Sequence, residues 1–212
     1  MLYLIIHAIQ YSNGEPETFD AELFGAGVDL CHKLDEDFGK PHAKVLSQRD
    51  VPGLTRAVIP LLAQRGVTAL SVGANTYSAS AAVPTIYKWE DPVSKTSLVA
   101  MQNPGGYGDG STIKMPNGSS THALHLLFNG DNAGPHSVAQ VKARFATLRQ
   151  EFPNAEVAGD SWEGFIDAIA ADGSEKSLEL TTKEEGDTWV YGVQQDLYKT
   201  AAFRAIMRAR RA

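Results

Sequence analysis

Ser47-Gln48-Arg49-Asp50-Val51-Pro52-Gly53-Leu54-Thr55-Arg56 follows a short apolar run, 43–46, and opens into 54–64, where apolar residues return at helical spacing. A strand, a sharp turn carrying a carboxylate and then a helix is how α/β enzymes present a reactive group, because ligands in such folds bind outside the carboxyl ends of the strands. Pro52 pre-sets φ at the turn, and Gly53 is expected to supply the positive φ that other residues avoid. Two readings of Asp50 stay open on this stretch alone: a reactive group, or a cap on the helix that follows.

Working outward, strands and helices alternate. Residues 2–9 form a near-continuous apolar run, which suits a strand covered on both faces. Asp20 is placed to cap a helix carrying Leu23, Val28, Leu30, Leu34 and Phe38, which Gly39-Lys40-Pro41 stops. Residues 67–72 read as a strand, and two short β-like segments follow at 86–89 and 97–101. The span 103–120, rich in glycine and proline, is the longest irregular stretch, either a functional loop or a plain surface loop. A strand over 122–128 then leads to a helix whose Val138, Val141, Phe145, Leu148 and Phe152 step along one face, with Ser137 and Gln140 as a capping box. Short strands are expected at 156–158 and 178–181, a helix capped by Ser161 over 161–171, and a last helix from about 194. Together these predict one α/β domain over 1–212, a mainly parallel sheet or barrel without repeat or linker.

Composition bounds the function. The 212 residues are 43% hydrophobic and 21% charged, ordinary for one globular domain, and the formal net charge of −6 gives no basic footprint for nucleic acid. A single cysteine, Cys31, forms no internal disulfide and reads as small apolar filler. The apolar start lacks a basic lead-in, and no segment approaches the ~20 apolar residues of a membrane span, so neither a signal peptide nor a membrane partner is expected. The compartment, cytoplasmic or extracellular, is left open.

Asp50, Asp131 with Asn132, and Glu185 with Asp187 each lie just after an expected strand. In a parallel barrel those ends share one rim, and carboxylates converging there suit either two-carboxylate glycoside hydrolysis or a divalent metal. Each taken singly is also a plain cap or turn former. Trp89, Tyr107, Trp189 and Tyr191 lie near the same loops, either as a floor on which a sugar stacks or as half-buried core. Of the histidines only His7, at a strand end, falls where a ligand would bind. The six do not form the spacing of a zinc site on one helix. Neither a phosphate-binding loop nor a G-x-S-x-G serine elbow is present.

The order of these motifs resembles glycoside hydrolase family 38, the α-mannosidases, and more closely an uncharacterised branch of that glycoside hydrolase/deacetylase superfamily. The matching pieces are His7-Ala8 with Asp20, Arg49-Asp50-Val51-Pro52-Gly53 and Asn103-Pro104-Gly105-Gly106-Tyr107-Gly108. They continue with Gly130-Asp131-Asn132 and Gly134-Pro135, and end with Glu185-Gly186-Asp187-Thr188-Trp189-Val190-Tyr191-Gly192. The resemblance implies a partial (β/α)7 barrel that lacks the first barrel strand and the β-rich region after the barrel. It implies a hydrolase acting on or binding α-linked sugars by a retaining mechanism, with Asp50 as nucleophile and metal ligand and Asp131 as acid/base. Asn132 stands where the family has a second carboxylate. His7, Tyr107, Asn132, Glu185, Asp187 and Trp189 are the implied substrate contacts.

Zinc is the implied cofactor, but of its usual ligands the chain supplies Asp50 alone. A fragment of a larger enzyme or a reduced relative is therefore expected, with an uncovered barrel edge open to self-association. The alternatives are a non-catalytic carbohydrate-binding or scaffold remnant, or a polysaccharide deacetylase relative.

Overall fold

The computed structural model describes residues 14–103, 105–129, 133–193 and 196–210. The apolar run at 2–9, with His7, and the turn bearing Asp131 and Asn132 lie outside the described residues.

A five-stranded sheet is the spine of the molecule. Its strands are β1 (Val45–Asp50), β2 (Ala69–Ala74), β3 (Ile86–Glu90), β4 (Ser97–Asn103) and β7 (Leu180–Thr181), in spatial order β1-β2-β4-β3-β7. Pairs β1–β2, β2–β4 and β3–β7 are parallel, whereas β3 runs antiparallel to β4. The expected α/β class with a mostly parallel sheet holds. A closed barrel is not confirmed: among the described residues the sheet is open. β3 runs against β4 because the two are joined by a tight turn, Asp91 to Thr96, in place of the helical crossover that parallel strands need.

The alternating side chains of these strands split the core in two. Leu46, Leu70, Val72, Tyr87, Trp89 and Ala100 face a layer made by α1 (Ala21–Asp37) and α2 (Val58–Ala63). Val45, Ala69, Ile86, Val99 and Met101 face α4 (Trp162–Ala171) and the hairpin of β5 (Thr112–Lys114) with β6 (Ala123–His125). The region expected to be a long irregular loop thus contains one arm of that hairpin, and the strand expected at 122–128 pairs with it, outside the main sheet. Residues 156–158, expected as a strand, are loop.

Helix starts follow the sequence closely. Asp20 accepts from Leu23 N at 2.8 Å, Ser161 from Gly164 N at 3.2 Å, and Ser137 with Gln140 closes a capping box on α3 (Val138–Glu151). The faces chosen differ. In α1 the buried positions are Gly25, Val28, Cys31, His32 and Asp35, while Phe38 is 72% exposed. In α3 only Leu148 is buried, and Val138 is 68% exposed. A short helix, α5 (Val190–Val193), precedes the region of the expected last helix, which is α6 (Leu197–Ala209), capped by Asp196.

Candidate functional site at the carboxyl rim of the sheet

Strand β1 runs four residues further than its apolar run, so Asp50 is its last residue and sits level with Ala74 at the end of β2. Asn103 closes β4 one step away, level with Gly73. Three parallel strands therefore deliver their carboxyl ends to one rim, where an α/β sheet binds ligands.

Asp50 is not a helix cap. Helix α2 begins eight positions later, its N-cap residue is Ala57, and no side chain caps it. Instead Asp50 Oδ1 accepts two hydrogen bonds, from Tyr107 Oη at 2.6 Å and from Asn75 Nδ2 at 2.9 Å. The backbone at Asp50 has φ +84°, a region that side-chain-bearing residues seldom enter and that costs ~1–3 kcal/mol. Tyr107 reaches Asp50 because Gly73 has no side chain: a Cβ there would stand 2.8 Å from Tyr107 Cα and 2.7 Å from Arg49 Cδ.

Arg49 turns to the opposite face of the sheet. Its guanidinium lies 5.4 Å from the ring of Phe128 and 5.2 Å from that of Trp162, and donates to Gln48 O, Ser71 O and Ser71 Oγ. Desolvation lowers its pKa to about 10. Among the described residues it has no carboxylate partner, so strand carbonyls and aromatic faces hold the charge.

The second acidic group is placed by β7, an edge strand that runs opposite to β1, β2 and β4 and so ends at the rim away from Asp50. The chain then returns across the α1/α2 face. Glu185 O accepts from Leu54 N at 2.9 Å, Glu185 Oε2 accepts from Tyr87 Oη, and Trp89 Nε1 donates to Lys183 O at 2.8 Å. Only 6% of Glu185 is exposed, and burial pushes its carboxyl up to about 7 despite the Tyr87 hydroxyl. Burial and the Glu185 charge in turn hold the Tyr87 phenol well above its ordinary value. Asp187 is 2% exposed. Its Oδ1 accepts from Trp189 N at 2.8 Å, its backbone N–H donates to Glu17 Oε1 at 2.9 Å, and burial raises its pKa.

The rim therefore gathers Asp50, Asn75 and Tyr107, and the returning segment places Glu185 and Asp187 in a separate, buried setting. Trp189 rejoins the first region, since its Nε1 donates to Ser78 Oγ at 2.6 Å, just beyond β2. Trp89, 1% exposed, is core, and Tyr191 is 64% exposed.

Among solved structures, the chain is similar to an α-mannosidase from Enterococcus faecalis V583, with a TM-score of 0.56 and 16% identity over 79% of this chain and 20% of that one. The likeness is one of fold. This chain spans about a fifth of that protein's length. No family model matches the sequence, and no curated protein matches it.

Sequence reading missed Asn75 and Tyr87. Asn75 was findable from register, because it follows β2 where Asp50 ends β1. Tyr87 was findable from chemistry, because a tyrosine on a buried strand face needs a partner for its hydroxyl. Among the described residues no three of His, Cys, Asp and Glu come together to hold a metal ion. The side chains bonded to Asp50 are neutral donors rather than ligands, so this part of the chain does not fit zinc, and no step is assigned to a metal.

Proposed function

We propose that this chain is a glycoside hydrolase-like protein that engages α-linked sugars at the carboxyl rim of its sheet, with Asp50 as the nucleophilic carboxylate. The observation that supports this most directly is the asymmetry of Asp50. Oδ1 is held by Tyr107 and Asn75, and the backbone is fixed at positive φ, leaving Oδ2 as the oxygen to attack an anomeric carbon. A retaining mechanism needs that pre-aimed oxygen and a second carboxylic acid about 5–5.5 Å away to protonate the leaving group. Asp131 is the proposed acid/base from its motif, and Tyr107 and Trp189 are the proposed sugar contacts.

The test is hydrolysis of aryl α-mannosides by the wild type and by Asp50→Asn, which keeps the shape and removes the nucleophile. Loss of turnover by at least a thousandfold with an unchanged melting temperature is the expected result. Equal turnover by both proteins would overturn it.

A second reading is sugar binding without cleavage. The bonds to Oδ1 favour it equally, since a fixed carboxylate between an amide and a phenol also accepts hydroxyl hydrogens. Calorimetric binding of mannosides with no product released supports this second reading. Acetate release from an acetylated glycan in place of glycoside cleavage would turn both toward deacetylase chemistry.

A further inference from the structure

The turn after Asp50 is fastened to the segment 182–187. Leu54 and Glu185 form an antiparallel bridge, Arg56 N donates to Glu184 Oε1 at 2.7 Å, and Arg56 Nη1 donates to Thr182 O. From the other side Gln48 Nε2 donates to Val51 O at 3.1 Å and Gly53 O at 2.5 Å. Gly53 is pressed so closely on the backbone of Glu185 and Gly186 that an added Cβ would overlap Glu185 O. Inside this closure the buried ionisable side chain is that of Glu185: its Oε2 takes one hydrogen bond from Tyr87, and among the described residues its Oε1 is buried without a hydrogen-bond partner.

We propose that Glu185 is a proton-operated clasp on the turn that carries Asp50: as a neutral acid it seals 182–187 against residues 51–56, and on losing its proton to solvent it releases them. A carboxylate with one donor and an unserved oxygen is poorly solvated in such a place, whereas the neutral acid is not. The charged groups around it do not reverse this. Glu184 opposes ionisation, and exposed Lys183 favours it more weakly. Arg56 directs its backbone to Glu184 and its guanidinium to Thr182 O, with Asp91 3.8 Å from Nε. Asp187, the next acidic residue along the segment, donates its backbone N–H to Glu17 Oε1. The clasp stands apart from the sugar chemistry and holds whichever ligand the rim takes.

Hydrogen exchange in the intact protein reads it directly. Leu54 N–H, bonded to Glu185 O, should lose protection by up to about tenfold per pH unit between roughly pH 5 and 7. Asn75 N–H, bonded to Asp50 O, should follow it, while Leu70 N–H in the sheet stays protected. In Glu185→Gln the dependence should vanish. Constant protection in the wild type, an unchanged slope in Glu185→Gln, or equal loss at Leu70 would each overturn the clasp. Loss at Leu54 without Asn75 would overturn its link to Asp50. Should Glu185→Gln not fold, Tyr87→Phe removes the hydroxyl that eases ionisation and should move the same loss to higher pH. A transition that stays in place sinks the proposal.

Discussion

Tyr107 donates its hydroxyl to Asp50 Oδ1 at 2.6 Å, joining a glycine-rich loop to the end of a strand 57 positions away in sequence. Two independent constraints meet in that bond: the missing Cβ at Gly73 and the positive φ of Asp50. Removing the hydroxyl leaves the ring in place and the carboxylate with one donor. Tyr107→Phe is expected to cost about 1 kcal/mol, a fall of roughly 2–4 °C in melting temperature by calorimetry, and to lower any turnover at the rim. An unchanged melting temperature would mean that the bond contributes nothing in solution.

Gly53 and Gly27 predict opposite signs for the same substitution. Gly53→Ala drives a methyl into the backbone of Glu185, which is not free to move because Leu54 is bonded to it. A loss of about 2–3 kcal/mol is expected in urea unfolding. Gly27 lies inside α1 with nothing within 4 Å of an added Cβ, so Gly27→Ala should stabilise by about 0.5–1 kcal/mol. Equal effects at both sites contradict the close approach at Gly53.

The raised pKa of Glu185 sets the sign of a pH dependence. A carboxyl that titrates near its ordinary value when unfolded and at about 7 when folded binds its proton more tightly in the native state. Its full benefit is therefore present below the ordinary value of 4.5, and is lost as pH rises through 7. The loss should approach about 3 kcal/mol between pH 4.5 and 7.5 and be absent in Glu185→Gln, as chemical denaturation across that range would show.

Arg49 tests how a buried cation that has no carboxylate partner among the described residues is held. Arg49→Lys keeps the charge but gives up the guanidinium's contacts with the Phe128 and Trp162 rings and most of the donor fork. Arg49→Met gives up the charge and keeps the packing. The lysine variant should be the less stable of the two by about 1 kcal/mol in urea unfolding, because its ammonium is desolvated with fewer acceptors. The reverse order would point to an anionic partner for Arg49.

The caps at Asp20, Ser137 and Ser161 and a strand leading towards Asp50 were legible in the chain, since each is written in a few neighbouring residues, although β1 runs four residues beyond its apolar run. The sequence also singled out Gly53, but for the wrong cause. Its φ is not positive, and what requires a glycine is the backbone of Glu185, which lies 132 positions further along the chain.

Local composition, then, determined which segments become helix or strand and put a carboxylate at the end of β1. Tertiary structure alone decided that β3 runs against β4, that Asp50 is gripped by Tyr107 and Asn75, and that Glu185 is sealed against Tyr87. The reason is physical: caps and turns depend on contacts a few residues apart, whereas strand direction, side-chain burial and the partner of a carboxylate depend on which distant surfaces exclude water together.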